Sequence, residues 1–585
     1  MLSKTFGRFA LAAGALFALA AGSAQASMRI SDAIDGNWFE EGRERRGIDF
    51  DYIPNGQGGG NLFMTLFTYD QDGNGIWLTG NSGTLGEFEF ATSFPIGQVE
   101  GGDFGNGGAP VPTVLGTANV EFNSCNSARV TLTMNAGSNL PNTVYNLAPL
   151  QNSFGPGRSE CVWQTEFTAC PAGTTAAGPR TCQLRGTYTG QNLRLTNDTI
   201  WEIGNLVLIG NDNAGQSTLT IEPGTRLVGG ESTAGAGDQA QSAIYVNRGS
   251  KIFANGTRTN PIIFTSERDG VAGGQPATGD WGGLILSGNA PVNCANNTCD
   301  SEFSGLYGRP LPFGGTNPAD SSGVLRYVQV RYAGVVYQPN REVNSFTLQG
   351  VGSGTVLEYL QSFRGQDDDI EFFGGTANVK YFVGTDGGDD HLDWDLGYTG
   401  KLQFVLLQQG SGRGENHGIE GANSPTNFDA TPRANPIVSN LTFIGNSTSP
   451  NTNDGLQFKE GSAGKVWNSY VTGFTRSCLR IQQPQTGAQV GTQLIVRNTR
   501  LNCANNFSGS DIGGVDVATF FNGQPGNSVG AAGIVNGFLP GATSPLKGAG
   551  AVVNDAFFTP VDYVGAFRDE SDDWTAGWTY GVRRN

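Results

Sequence analysis

Apolar and polar residues alternate along most of the chain, in short segments that are separated by glycine-rich turns. Residues 62–69 and 75–79 flank the turn Asp70-Gln71-Asp72-Gly73-Asn74, a pattern that is typical of a β-hairpin. The turn also matches the first half of a calcium-binding loop, but Asn81 stands where such a loop needs a bidentate glutamate, which favours a plain β-turn. The pattern predicts a small antiparallel β domain over residues 27–183.

An internal repeat begins at about residue 184. Residues 219–227 align with residues 244–252 without a gap, at an offset of 25, and each segment reads as strand, glycine turn and strand. Repeats of this length indicate stacked units of supersecondary structure. Because helical periodicity is missing between the short strands, we predict an all-β protein in which a right-handed parallel β-helix over 184–510 follows the antiparallel domain and a capping region over 511–585 ends the chain.

One strand of this β-helix can be aligned over five coils, the first two at an offset of 22. Alternation along a strand places its apolar residues inside, namely Ile370, Leu392, Ile419, Leu456 and Leu479. The residues that follow them then form one column on the outside, which we call the outer column: Glu371, Asp393, Glu420, Gln457 and Arg480. We expect Asp395 and Lys459 beside it and treat all seven as candidate ligand-binding residues.

The composition supports this fold and excludes some functions. The chain has 585 residues, of which 89 are glycine, and 35 basic against 52 acidic residues give it a net charge of −17. Such a balance excludes nucleic acid as a partner, because phosphate backbones require a basic surface. Two histidines leave little room for a histidine-rich metal site.

The first 26 residues have the pattern of a signal peptide. Lys4 and Arg8 precede the apolar residues 9–22, and Ala24-Gln25-Ala26 offers small residues at the cleavage site. We therefore expect the mature chain to be exported to the cell surface or the extracellular space, with the periplasm as an alternative, and to contain no transmembrane segment.

Eight cysteines in an exported chain predict disulfides. Cys294 and Cys299 lie in one loop within residues 288–322, which we expect to wall one side of a cleft. Cys478 and Cys503 are separated by 25 residues, the offset of the repeat, so we expect a bridge between equivalent positions of neighbouring coils. No spacing fixes the pairing of the others, which are Cys125, Cys161, Cys170 and Cys182.

Several stretches resemble an uncharacterised family of exported bacterial β-helix proteins, which are often labelled surface proteins or lipoproteins. The similar stretches are residues 219–225, 279–286, 322–328, 369–375, 400–404, 561–567 and 574–578. The resemblance implies a parallel β-helix and an exported location, and it implies no activity.

Carboxylates at neighbouring coils, about 4.8 Å apart, repel one another. A bound calcium ion, a shared proton or solvation would relieve the repulsion. The candidate calcium ligands are Asp368, Asp369, Glu371, Asp390 and Asp393, and calcium is the one cofactor that the sequence suggests. We interpret the protein as a surface or extracellular β-helix protein that binds glycans or matrix with the help of calcium.

The alternative is a polysaccharide hydrolase or lyase that uses the same acidic face. Its candidate catalytic residues are Asp390, Asp393, His417 and Arg480. The order of the motifs differs from that of polygalacturonases, and a lyase would need a basic residue such as Arg480 near calcium. If the two histidines have no role in function, we expect His391 to be a surface neighbour of Asp393 and His417 to be a turn residue.

Overall fold

The structure is a computed structural model. It describes residues 28–40, 42, 46–55, 59–99, 113–154, 161–163, 167, 169–178, 180–230, 242–271, 273–338, 341–410, 417–510 and 512–584. The predicted signal peptide lies outside the described residues. Among those described, no helix has both the length and the apolar character that crossing a bilayer requires.

An antiparallel β-barrel forms the first part of the chain. Its inward side chains, such as Phe50, Leu66 and Val130, are fully buried and alternate with more exposed neighbours, as the sequence pattern predicts. The turn between Tyr69 and Gly75 is held by Asp70, which accepts hydrogen bonds from the backbone N–H groups of Asp72 and Asn74. The strands of the barrel are β1 (Gly36–Phe39), β2 (Gly47–Pro54), β3 (Gly60–Tyr69), β4 (Gly75–Leu85), β5 (Ala91–Gln98), β6 (Thr113–Ser124), β7 (Ser127–Met134) and β8 (Thr143–Phe154).

A long parallel β-helix follows the barrel, so the predicted all-β fold class is confirmed. The strands beyond the barrel are β9 (Thr175–Gly178), β10 (Thr181–Tyr188), β11 (Asn192–Leu195), β12 (Ile200–Ile209), β13 (Thr218–Ile221), β14 (Arg226–Gly229), β15 (Ala243–Val246), β16 (Lys251–Asn255), β17 (Ile262–Ser266), β18 (Leu284–Ser287), β19 (Cys299–Asp300), β20 (Pro312–Phe313), β21 (Gly323–Arg331), β22 (Val335–Gln338), β23 (Arg341–Val343), β24 (Phe346–Gln349), β25 (Val356–Phe363), β26 (Ile370–Phe373), β27 (Asn378–Thr385), β28 (Leu392–Asp395), β29 (Lys401–Gln408), β30 (His417–Gly421), β31 (Ile437–Ile444), β32 (Asp454–Phe458), β33 (Gly464–Trp467), β34 (Tyr470–Thr472), β35 (Ser477–Gln482), β36 (Leu494–Arg497), β37 (Arg500–Asn502), β38 (Phe507–Ser510), β39 (Ser528–Val529), β40 (Ile534–Val535) and β41 (Leu539–Pro540).

The coils build three parallel sheets around one apolar core. Sheet 1 contains β11, β13, β16, the first halves of β21, β25, β27, β29 and β31, then β33 and β36. Sheet 2 contains the first halves of β10 and β12, then β14, β17, the second halves of the same five strands, β34, β37 and β39. Sheet 3 contains the second halves of β10 and β12, then β15, β18, β24, β26, β28, β30, β32, β35 and β38. Short helices α1 (Ser304–Tyr307), α2 (Pro484–Gly487) and α3 (Val517–Asn522) lie in the connections.

The predicted period of 25 residues is wrong for the repeat from which it was derived. Leu219 pairs with Ile252 rather than with Ile244, and Ile244 pairs with Val207 and Leu284. The strands that the alignment equates, β13 with β15 and β14 with β16, therefore lie on different sheets. Each coil of a three-sheet solenoid contains more than one strand–turn–strand unit. The offset of 25 residues is therefore the distance between two such units and not the length of a coil.

Sheets 1 and 2 meet at a sharp corner made by single residues in the left-handed conformation. Bulky aromatic residues rarely adopt this conformation, yet Tyr327, Tyr359, Tyr381 and Phe404 do so at successive coils, with φ between 48° and 61°. Their rings stack, with centroids 4.4, 4.3 and 4.9 Å apart along the series. Stacking on the outside of the corner thus accompanies the backbone bend.

The C-terminal segment, residues 531–584, returns along this corner. Trp578 is buried, with its ring centroid 5.6 Å from that of Tyr327 and 6.0 Å from that of Tyr359. The side chain of Gln361 exchanges two hydrogen bonds with the backbone of Tyr580, and Gln408 does the same with Arg583. The segment therefore ties several coils together.

All eight cysteines form disulfides. The structure contains both expected bonds, Cys294–Cys299 and Cys478–Cys503, and pairs the other four as Cys125–Cys161 and Cys170–Cys182. The expected register of the Cys478–Cys503 bond is wrong. Leu479 pairs with Phe507, so Cys503 lies in the connection that precedes the equivalent strand.

Candidate functional site

Sheet 3 carries the outer column in the register that the sequence predicts. Glu371 pairs with Asp393, Asp393 with Glu420, Glu420 with Gln457, and Gln457 with Arg480. The residue before each of them points into the core and is fully buried: Ile370, Leu392, Ile419, Leu456 and Leu479. Because the spacing of side chains on one face is fixed at two residues, the buried residues determine what stands outside.

A second column lies at the start of the same strands. We call it the corner column, and it contains Asp368, Asp390, His417, Asp454 and Ser477. The first four side chains each accept a hydrogen bond from the next coil: Asp368 from the N–H of Asp390 (2.9 Å), Asp390 from that of His417 (2.7 Å), His417 from that of Asp454 (3.1 Å), and Asp454 from the hydroxyl of Ser477 (2.6 Å). These bonds fix the side chains that lie beside the outer column.

His417 belongs to this column, and the expectation that it is a turn residue is wrong. It is buried and lies in β30, where it pairs with Asp454 of the next coil. Burial lowers the pKa of His417 to about 4, against the opposing effects of Glu420 and Asp454. His417 is therefore neutral at neutral pH.

Asp369 and His391 occupy the interior of the solenoid rather than the acidic face. The Nδ1 atom of His391 lies 2.5 Å from Oδ2 of Asp369, and both side chains are completely buried. Gly384, on sheet 2, leaves room for the Asp369 carboxylate, which a Cβ atom there would meet. The expectations that Asp369 belongs to a metal site and that His391 is a surface neighbour of Asp393 are both wrong, because the backbone bend between sheets 2 and 3 turns these positions inward.

Carboxylates from both columns converge on sheet 3. Among the described residues, three groups each bring one oxygen per residue within 4.8 Å of one another: Asp367, Asp368 and Asp389; Asp368, Glu371 and Asp393; and Asp390, Asp393 and Glu420. The second and third groups share Asp393. The Oδ1 atom of Asp393 is buried and has no hydrogen-bond partner in the part of the chain that the structure describes.

This concentration of buried and half-buried carboxylates opposes their ionisation. Burial, followed by repulsion from Asp367 and Asp393, raises the pKa of Asp368 well above its usual range. Burial and then the carboxylate of Asp393 raise the pKa of Glu371 in the same way, and burial and then Glu420 raise those of Asp390 and Asp393. A cation or protons must therefore balance the charge of this part of the sheet.

Basic side chains gather at the other end of the columns. The Nζ atom of Lys459 lies 2.5 Å from Oε2 of Glu420. The fully buried carboxylate of Asp454 is bound by Arg476, with Nε at 2.8 Å, and it lies 3.6 Å from Arg480. The site thus carries mainly acidic side chains at β26 and β28, whereas acidic and basic side chains lie together at β32 and β35.

The loop of residues 288–322, which we expected to wall one side of a cleft, borders the acidic end of the two columns. Val292, Cys299 and Phe313 pack with Phe373 and Leu396 at the end of β26 and just after β28. Burial, and then repulsion from Glu302 of the same loop, raises the pKa of Asp395. The Oδ1 atom of Asp395 is also buried, and no described residue forms a hydrogen bond with it.

Sequence reasoning missed four participants, namely Asp367, Asp389, Asp454 and Arg476. A signal for Asp454 was present, since it precedes the inward Leu456 by two residues, as Asp390 precedes Leu392. Asp367, Asp389 and Arg476 lie in the connections before the strands, where alternation no longer predicts the direction of a side chain.

Residues 186–579 match the model of a family described as the pectate-lyase-like beta helix domain. No curated protein and no solved structure matches the chain.

Proposed function

The chain belongs to the pectate-lyase-like β-helix domain family, and on this basis we propose that it is an exported protein that binds acidic polysaccharides through calcium ions on sheet 3. Export is supported by its four disulfides, because such bonds persist outside the cytosol. The N-terminal sequence has the pattern of a signal peptide.

The observation that carries the proposal is the position of Asp393 between two groups of carboxylates. Calcium binds six to eight oxygens at about 2.3–2.6 Å, so oxygens that lie within 4.8 Å of one another can share one ion. An ion in either group would bind the carboxylate of Asp393, whose buried Oδ1 atom has no hydrogen-bond partner among the described residues. It would also offset the repulsion that raises the pKa of Asp368 and Glu371.

The division of charge along the columns supports an acidic ligand. Calcium held at the acidic end would bind a carboxylate of the polysaccharide, and water or hydroxyl oxygens would complete its coordination. The side chains of Lys459, Arg476 and Arg480 would bind a second acidic group further along the chain of sugars. A polymer that runs across the strands of sheet 3 meets both ends.

Calorimetric titration of the full chain with calcium tests the metal site. We expect saturable binding that Asp393→Asn removes and that Asp429→Asn, a matched exposed carboxylate paired with Arg433, leaves unchanged. Retention on polygalacturonate or alginate should then require calcium. Equal calcium binding by the parent and Asp393→Asn would refute the site, whereas calcium binding without retention on either polymer would refute the ligand.

A second candidate function is cleavage of the same polymers by elimination. Arg480 supports it, because burial and then the neighbouring Arg476 lower the pKa of its guanidinium. Arg480 would first release its own proton to water and then accept the proton next to the uronate carboxylate; the electron pair would form a carbon–carbon double bond, and the glycosidic oxygen would leave with a proton from water. Calcium would neutralise the substrate carboxylate.

An assay for unsaturated, ultraviolet-absorbing uronides distinguishes binding from elimination. If the protein is a lyase, it forms these products from an acidic polymer in calcium, and Arg480→Gln abolishes them while calcium binding persists. If no acidic polymer yields unsaturated products, the elimination hypothesis is wrong.

A further inference from the structure

The outer face of the N-terminal barrel carries aromatic side chains that none of the described residues covers. Trp77 is 69% exposed, and Phe67 and Phe63 are 38% and 36% exposed. The rings of Phe67 and Trp77 meet edge to face, with centroids 5.5 Å apart. Exposed apolar groups in such a cluster mark binding surfaces more often than isolated ones do.

The pairing of β2, β3 and β4 arranges this face in three rows. Phe67 and Trp77 form the first row, and Phe63 lies beside Asn81 in the third. The row between them is polar and consists of Asp49, Thr65 and Thr79. Successive rows are about 7 Å apart, the rise of two residues along a strand. Asp51 stands next to Phe63 in the third row. We call this surface the aromatic platform.

We propose that the aromatic platform is a second binding site, one for a neutral polysaccharide. The apolar faces of sugar rings stack on Trp77, Phe67 and Phe63, while hydroxyl groups donate hydrogen bonds to Asp49 and Asp51 and exchange them with Thr65 and Thr79. This site lies on another domain and requires no calcium, so it goes beyond the function proposed for sheet 3.

The mixture of residues argues against other occupants. Protein interfaces are depleted of charged residues at their centres, whereas Asp49 lies between the two aromatic rows. The two carboxylates repel anionic lipids and would be costly to place at a membrane surface. They also repel acidic polymers, which separates this ligand from the one proposed for sheet 3. A sugar whose ring stacks on the aromatic side chains can also donate hydrogen bonds from its hydroxyl groups to Asp49 and Asp51, so a neutral polysaccharide suits both kinds of residue.

Affinity electrophoresis of the full chain in chelator tests the proposal. The gels contain galactomannan, xyloglucan or mixed-linkage β-glucan as neutral probes, and polygalacturonate as the acidic one. We expect at least one neutral polymer to retard the parent protein and polygalacturonate not to do so. Trp77→Ala and Phe67→Ala should weaken the retardation about tenfold each, the effect of one lost stacking contact, and Trp77→Phe should preserve most of it.

Two controls separate this site from the rest of the molecule. Phe253→Ala removes an aromatic ring of equal exposure, 37%, from the β-helix and should change nothing. Asp393→Asn should also leave the retardation intact, so that a failure of the calcium site is distinguishable from a failure of the platform. Retardation by none of the neutral polymers, or equal retardation of the parent and Trp77→Ala, would overturn the proposal.

Discussion

The Nδ1 atom of His417 accepts a hydrogen bond from the backbone N–H of Asp454 at 3.1 Å. Since a neutral imidazole carries its proton on the other nitrogen, the proton of His417 is on Nε2, which lies 3.7 Å from Oε1 of Glu420. The backbone of the next coil thus orients His417 as an N–H donor toward the outer column. This role does not require a change of protonation.

The low pKa of His417 predicts a loss of stability in mild acid. Its pKa falls from the usual 6.5 to about 4 on folding, so the unfolded chain binds more protons between these values. The free energy of unfolding should therefore fall as the pH is lowered from 6.5 to 4, by up to about 3 kcal/mol from this residue. Urea unfolding of the parent and of His417→Asn, which keeps an acceptor for the N–H of Asp454, measures the difference. If both proteins lose the same stability, His417 is not the cause.

The carboxylates of sheet 3 predict the opposite pH dependence when calcium is removed. Folding raises the pKa of Glu371 and Asp393, so the folded chain binds more protons above pH 4 and loses stability as the pH rises. In chelator, melting temperatures should fall between pH 5 and pH 8, and less steeply for Asp393→Asn than for the parent. Comparing the two proteins cancels the contribution of His417.

Calcium should flatten this dependence in the parent protein. A ligand at a hundredfold excess over its dissociation constant stabilises the folded state by about 2.7 kcal/mol. We expect that gain in the parent at pH 8 and little of it in Asp393→Asn. Parallel pH profiles with and without calcium would contradict a metal site.

The outer column could be predicted because one rule determined it. The inward residues Ile370, Leu392 and Ile419 are apolar and buried, and alternation then assigns Asp393 and Glu420 to the outside. The rule holds only within a strand. At the bends the chain changes direction without a sequence signal, so Asp369 and His391 turn inward.

The coil period could not be read from the sequence for a different reason. Leu219 and Ile244 have the same sequence context because both begin a strand–turn–strand unit, but they lie on different sheets. Similarity between strands does not reveal which of the three sheets each one joins.

The return of the C-terminal segment along the corner of sheets 1 and 2 predicts a large effect of Trp578→Ala. The side chain is buried against Tyr327 and Tyr359, and removing such a ring costs about 3–5 kcal/mol. Limited proteolysis should then cut within residues 531–584 before the β-helix is attacked. Trp77→Ala, which removes a ring with 69% exposure, is the matched control and should leave the proteolysis pattern unchanged.

The last coils depend on the bond between Cys478 and Cys503, whose Cα atoms are 5.6 Å apart. The bond closes a loop of 25 residues, which stabilises the folded state by about 3 kcal/mol in the chain-entropy account. The matched control is Cys294–Cys299, which spans 5 residues and is worth about 2 kcal/mol by the same relation. Alanine suits both double variants, because Cys478 is fully buried and alanine introduces no polar group there. A terminal coil has a neighbour on one side only, so Cys478→Ala/Cys503→Ala should accelerate hydrogen exchange in β35, β37 and β38 while β26 and β28 stay protected.

The control variant, which lacks the Cys294–Cys299 bond, should show faster exchange only within residues 288–322, with exchange in β35, β37 and β38 unchanged. Unchanged exchange in β37 and β38 after loss of the Cys478–Cys503 bond would mean that α3, whose Phe521 is fully buried against the core, closes this end of the solenoid without help from the disulfide.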